Sequence, residues 1–241
     1  MRVVVLGCGT GVGKTRLSVA LLRALSARGH SALGLKPIES GVVSGAETFA
    51  APPGTDASAL TLAGSVRAPG RHPLYALRAP VSPHLAARAE AIQIDLHEVA
   101  AWVREAENAV TPRVASDSAH WTVIETAGGV FSPLGPGVAN FELAQVLEPA
   151  IWVLVAADAL GVLHDVSSTL KAMRACGREP DHLVLSGARE PDASTGSNAA
   201  ELATLGIAAT SAVLPRNDDR GVSALLDRLL EQERRPARAP A

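Results

Sequence analysis

The chain has 241 residues, 47% of them hydrophobic, with 22 lysines and arginines against 24 aspartates and glutamates. It is long enough to bury a full core, and a formal net charge of -2 excludes a strongly basic nucleic-acid binder or a polybasic membrane-surface protein. Two cysteines, Cys8 and Cys176, and seven scattered histidines exclude a disulfide framework and offer no zinc-ligand spacing.

The first apolar run, residues 1–6, is too short for a signal-peptide core. No later run reaches the roughly 18 apolar residues of a membrane span. Both features predict a cytoplasmic protein with neither membrane nor nucleic acid as partner. Short β-branched runs then alternate with longer segments of helical period, the pattern of a parallel sheet covered on both faces. Strands are predicted at 3–6, 32–36, 121–125, 151–156, 183–185 and 210–214. The first helix is expected to open at Lys14, with Leu17, Leu21 and Leu25 on one face, and to stop near Gly29 and His30. Further helices are predicted at 56–62, 96–109, 163–176, 198–205 and 222–233. Residues 37–55 and 126–140 are expected as long loops, which in compact domains are disordered or functional. One α/β domain over 1–233 is predicted, with a mostly parallel sheet flanked by helices on both faces and a frayed tail at 234–241.

The motif that carries most chemistry is GCGTGVGKT at residues 7–15, set between the first strand and the first helix. Backbone N–H groups of a glycine-rich turn cradle phosphate oxygens, and the helix N-terminus adds partial positive charge. Lys14 can reach the outer phosphates and the Thr15 hydroxyl can ligate Mg²⁺. Five residues separate Gly7 from Gly13, one more than the usual spacing. No dinucleotide fingerprint is present, so the expected ligand is a nucleoside triphosphate. Only Lys14, Lys36 and Lys171 are lysines; in an arginine-preferring chain, a lysine marks a position that needs a compact point charge. Lys36 ends the second predicted strand, at the carboxyl edge of the sheet where open α/β folds bind ligands.

In combination these features resemble the dethiobiotin synthetase family, whose P-loop NTPase fold matches the prediction. The resemblance rests on the long phosphate loop, Lys36-Pro-Ile-Glu-Ser40-Gly41, Thr55-Asp56-Ala57, Ser82-Pro-His84-Leu-Ala-Ala87 and Glu125-Thr-Ala-Gly-Gly129 continuing to Ser132-Pro-Leu134. It implies an ATP-dependent ligase that joins diaminopelargonate and CO₂ through a carbamate and a carbamic–phosphoric anhydride, closing a ureido ring. It further implies that Lys36, Lys14 and Thr10 are catalytic, and that Thr15, Asp56 and Glu125 hold Mg²⁺. Nucleotide contacts are implied at Gly11, Val12, Gly13, Lys14, Thr15 and Arg16 in the loop. Others fall at Asp56, at Glu125, Thr126, Ala127 and Gly128, and at Ser186, Pro215 and Arg216. Ser40 would touch the substrate. Gly161, Val162, Leu163 and His164, supplied by the partner of a homodimer, would bind its carboxylate. His84 reads either as a substrate contact or as part of a turn entering a helix.

The chain departs from the family pattern at Cys8 and Gly9, where Thr-Asp is usual, and at Thr126, where Gly is usual. Gly161-Val-Leu-His164-Asp165 replaces a Gly-x-x-Asn-His pattern. Ser186-Gly187 replaces the Asn-Asp that reads adenine, and cannot supply an amide donor and acceptor together; a loose preference among nucleoside triphosphates is therefore expected. Two alternatives stay open: another amide- or carbamate-forming ligase, and a nucleotide-switched partner-binding ATPase. Against the second, such switches carry an early second loop lysine at the position of Gly9.

Overall fold

A computed structural model describes residues 1–42, 53–110, 119–216 and 218–234. Six strands form one parallel sheet: β1 (Arg2–Gly7), β2 (Ser31–Leu35), β5 (His120–Glu125), β8 (Ile151–Asp158), β9 (His182–Gly187) and β10 (Ala212–Leu214). Their spatial order is β10-β9-β8-β1-β5-β2. Side chains alternate across β1. Val3 and Val5 pack with Leu17, Leu21 and Leu25 of α1 (Lys14–Ala27), Leu60 of α2 (Asp56–Ala63) and Leu225, Leu226 and Leu229 of α8 (Arg220–Arg234). Val4 and Leu6 face the other cluster, which holds Ala86 of α3 (Pro83–Ala89) and Val99 and Val103 of α4 (Leu96–Val110). Phe141 of α5 (Asn140–Val146), Val166 of α6 (Val162–Ala175) and Leu202 of α7 (Asn198–Thr204) complete it. Covering the sheet on both faces explains why its strands read as unbroken apolar runs.

The six predicted strands and six predicted helices are all present, with ends shifted by a few residues. Four short features were not anticipated. Three-residue β3 (Ile38–Ser40) and β4 (Tyr75–Leu77) pair in parallel, and β6 (Pro133–Gly135) and β7 (Val138–Ala139) make a small antiparallel hairpin. Two further helices are present: α3, the helix that the turn reading of Ser82-Pro-His84 anticipates, and α5, which was not predicted. The expected loops at 37–55 and 126–140 are thus partly ordered, because strands this short take their conformation from a partner and show no period of their own. Residues 43–52 of the first loop and 235–241 of the tail lie outside the described residues. No helix among the described residues is long and apolar enough to cross a membrane.

From β1 the chain crosses toward the β2 edge, whereas from the neighbouring β8 it crosses toward β9 and β10, so the crossovers diverge between β1 and β8. In such folds the crevice at the carboxyl ends of the strands is where ligands bind. The phosphate loop, Lys36 and Glu125 all emerge there. Val5 pairs with Glu125 and Leu35 with Ile124, which sets Lys36 beside Glu125 through sheet register alone.

Candidate active site

The loop at 7–15 wraps back over the start of α1. Gly13 caps the helix at φ 98°, in the left-handed region. A Cβ there would also overlap the Ser186 hydroxyl at the end of β9, so both conformation and space require glycine. Lys14 is buried and its Nζ donates to Gly9 O at 3.2 Å. Burial lowers its pKa to about 8 against the opposing pull of Glu125.

Four groups converge beyond Lys14. The Lys36 ammonium donates to Glu125 Oε1 and to Asp56 Oδ2, each at 2.6 Å, while the Thr15 hydroxyl donates to the same Glu125 oxygen at 2.8 Å. Lys36 is 5% exposed at its side chain and Glu125 0%, whereas Asp56 is 44% exposed. Burial alone would lower the Lys36 pKa; the two carboxylates outweigh it and hold the ammonium above its ordinary value. Burial likewise pushes Asp56 upward, but Lys36 reverses the shift and keeps it ionised. The second oxygen, Glu125 Oε2, is buried without a hydrogen-bond partner. A carboxylate oxygen in that state is costly unless a further cation or donor satisfies it.

Asp56 is aimed by its helix. Glu39 accepts from the Asp56 and Ala57 N–H groups at 2.7 and 3.0 Å, and Thr55 Oγ1 accepts from Ser58 N–H at 3.1 Å. Three of the free donors at the start of α2 are thereby satisfied. The glycine-rich segment after β5 is held by Asn140, whose side-chain amide donates to Ala127 O at 2.5 Å and Gly129 O at 2.8 Å. Glu39 and Asn140 carry no sequence signal of their own, since each works through contacts made only in the folded chain.

The members of this cluster line two separate clefts, Lys36 and Asp56 one and Thr15 the other. One, of about 380 Å³, is lined by Thr10, Lys36, Glu39, Ser40, Asp56, Ala127, Gly128, Ser132 and residues 80–83. The Ser40 hydroxyl is buried there without a partner. The other, of about 490 Å³, runs along α1 past Thr15, Arg16, Val19, Ala20 and Arg23 to Arg216 and Asp219. Arg16 ties α1 to the chain after β10: it donates to Leu214 O at 2.9 Å, to Pro215 O and to Asp218 O at 3.1 Å. Arg216 packs over Gly187, where a Cβ would stand 2.5 Å from the Arg216 nitrogen.

Most of the residues singled out in the sequence are therefore gathered at one sheet edge, but not all. Thr126 is buried, and both its N–H and its hydroxyl donate to Val5 O, so its side chain faces β1 instead of a cleft. His84 sits in the first turn of α3 with Nδ1 3.0 Å from Ser82 Oγ and lines neither cleft. Gly161, Val162, Leu163 and His164 open α6 and also line neither cleft. Among the described residues no group of three or more histidines, cysteines, aspartates or glutamates is placed to hold a metal.

A phosphate loop at the switch point of a parallel sheet, with a lysine–carboxylate cluster at its mouth, defines a P-loop NTPase. Solved structures agree on the fold: the MinC:MinD cell division complex from Aquifex aeolicus matches at 14% identity, TM-score 0.52, over 100% of this chain and 99% of that one. The signal recognition particle receptor FtsY from Elizabethkingia anophelis matches at 12% identity, TM-score 0.53, over 94% and 64%. A family model described as an AAA domain matches residues 1–221. Curated relatives narrow the assignment. ATP-dependent dethiobiotin synthetase BioD of Anaeromyxobacter dehalogenans is 35% identical over 221 residues, 89% of this chain and 90% of the relative. The protein of the same name from Caulobacter sp. strain K31 is 34% identical over 228 residues, 94% and 93%. The chain belongs to the dethiobiotin synthetase family and is an enzyme of the ATP-dependent ligase class.

Proposed function

We propose that the enzyme carboxylates diaminopelargonate at the expense of ATP and closes the ureido ring of dethiobiotin. The observation that carries this reading is the Lys36 ammonium, which lines one cleft and is fixed by Asp56 and by Glu125, whose same oxygen accepts from Thr15 of the other. A charge there can face a phosphate from one side and a carbamate from the other. In the first step an amine of the substrate attacks the carbon of CO₂ and loses a proton, giving a carbamate. A carbamate oxygen then attacks the terminal phosphorus of ATP and ADP leaves. The second amine attacks the carbonyl carbon of the anhydride and loses a proton, the bond to the phosphate oxygen breaks, phosphate departs and the cyclic urea remains.

The protein's work in this scheme is positioning and charge neutralisation. Backbone N–H groups of residues 9–15 and Lys14 cradle the phosphates. Lys36 neutralises the transferring group, Thr10 and Gly128 place the carbamate, and the partnerless Ser40 hydroxyl is satisfied by the diamine substrate. Thr15, Asp56 and Glu125 would hold Mg²⁺; they offer oxygen donors with two carboxylates, the number such sites use beside phosphates and waters, and Glu125 Oε2 is an orphaned ligand atom. When bound, that ion supplies charge neutralisation on the phosphates. Arg16, Pro215 and Arg216 enclose the nucleoside side, and Ser186 supplies no amide to read the base.

Placement of Gly161–His164 in a partner's site, and hence a homodimer, is supported by two features. The segment lines neither of the two clefts beside Lys36 and Thr15, and the neighbouring Leu160 is 85% exposed. Incubation with labelled bicarbonate, ATP and diaminopelargonate, followed by mass spectrometry, tests the activity: a product carrying one labelled carbon per diamine is expected. Absence of that product while ATP is hydrolysed would assign the enzyme to another substrate.

A further inference from the structure

Lys36 is held at both ends. Its ammonium is fixed by carboxylates, and its backbone N–H donates to Nε2 of His72 at 2.8 Å. Strand pairing stops at Leu35 opposite Ile124, so the Lys36 N–H lies beyond the sheet ladder in a buried residue. A buried amide in that position needs a partner of its own, and His72 supplies it.

An imidazole nitrogen that accepts carries no proton, so in the neutral ring the proton sits on Nδ1. Nδ1 lies 2.7 Å from Thr61 Oγ1, and the Thr61 hydroxyl in turn donates to Ala57 O at 2.9 Å. One unbroken chain of hydrogen bonds therefore runs from the end of β2 through His72 and Thr61 to the first turn of α2, the turn that presents Asp56. Burial pushes the His72 pKa down to about 4, which keeps this neutral form in place at ordinary pH. The ring also packs against Trp102, with centroids 5.6 Å apart and planes inclined by 39°. The Trp102 indole N–H donates to Arg71 O at 3.1 Å, which orients that wall.

We propose that His72 is a positioning residue for the reaction: as the Nδ1–H tautomer it locks the Lys36 backbone to the start of α2, so that the ammonium meets Asp56 and Glu125 together. The proposal rests on Lys36 being the catalytic lysine. Two near-isosteric replacements separate its two bonds. In His72→Gln the side-chain carbonyl can reach the place of Nε2 and still accept from Lys36. In His72→Asn the amide reaches only the place of Nδ1, and the Lys36 N–H loses its acceptor.

The test measures diaminopelargonate-dependent phosphate release, KM for ATP and for the diamine, and the thermal midpoint. It compares the intact protein with both variants and with Lys36→Gln. His72→Asn is expected to lower kcat by about tenfold to a hundredfold, the scale of an ångström-sized misplacement, with KM for ATP little changed. His72→Gln is expected to restore most of kcat even though both variants lose similar stability. Nitrogen NMR of the wild type supplies a readout that needs no variant: Nε2 unprotonated and Nδ1 protonated at pH 7. Equal kcat in the two variants, or a proton on Nε2, overturns the proposal. Full activity in Lys36→Gln overturns it together with the site assignment on which it rests, whereas collapse in Lys36→Gln with equal His72 variants overturns the positioning role alone.

Discussion

Removing the Glu125 charge tests the energetic core of the site. Glu125 is wholly buried, and its Oε1 accepts from Lys36 and Thr15. In Glu125→Gln the ammonium keeps Asp56, but that carboxylate is 44% exposed and well screened by water. Removing one partner of a buried ion pair costs about 3–5 kcal/mol. The surviving Asp56 contact and the glutamine carbonyl place this case near the lower bound. A protein of this size loses about 2–4 °C in Tm per kcal/mol, so a drop of about 6–12 °C is expected by circular dichroism at pH 7 without nucleotide. The double variant Lys36→Met/Glu125→Leu, which removes both members of this pair, should melt above the sum of the losses in Lys36→Met and Glu125→Leu, with a coupling of about 0.5–3 kcal/mol. A shift below about 2 °C in Glu125→Gln, less than about 1 kcal/mol on the same scale, would refute the reasoning; strict additivity in the double variant would do the same.

Other consequences are sharper in sign than in size. Gly13→Ala adds a Cβ at φ 98° against Ser186, a left-handed penalty of about 1–2 kcal/mol before any overlap, and fluorescent-nucleotide titration should show weakened binding that Ser186→Gly only partly restores. Burial pushes the half-buried Cys8 thiol up to about 11, while Cys176 is exposed; a thiol reagent at pH 8 should label Cys176 of the native protein quickly and Cys8 much more slowly. His72 has a folded pKa of about 4 against an ordinary 6.5, so the unfolded chain takes up the proton first. Its contribution to stability is complete above pH 6.5 and is lost as pH falls toward 4, and His72→Gln should flatten the wild-type decline of Tm over that window. With Ser186 and Gly187 in place of a base-reading amide, GTP and CTP should support turnover at rates comparable with ATP; a strong ATP preference in the same coupled assay would locate a base reader elsewhere.

The phosphate loop and Lys36 were legible because local chain geometry fixes them. GCGTGVGKT can only follow a strand and open a helix if it is to use its amides, and Lys36 closes an apolar run that must be a strand. Sheet register then brings Glu125 alongside without further instruction. Asp56 was readable only through the family resemblance, in Thr55-Asp56-Ala57; the helix cap itself is Thr55, with Asp56 in the first turn. Glu39, Asn140 and His72 were not legible, because each acts across the fold on a backbone group 11 to 36 residues distant. Such pairings leave no period or motif. Thr126 shows the converse: its place in a motif segment suggested a ligand contact, while its hydroxyl is spent on Val5. Strands β3 and β4 and the β6–β7 hairpin are too short to show alternation, so two segments expected as loops hold ordered structure.

The most direct measurement of the central claim is phosphate release from ATP with Mg²⁺ and bicarbonate, with and without diaminopelargonate, in the wild type and in Lys36→Gln. Release that requires the diamine and collapses in the variant is the predicted result. Release indifferent to the diamine, or undiminished in Lys36→Gln, would contradict it.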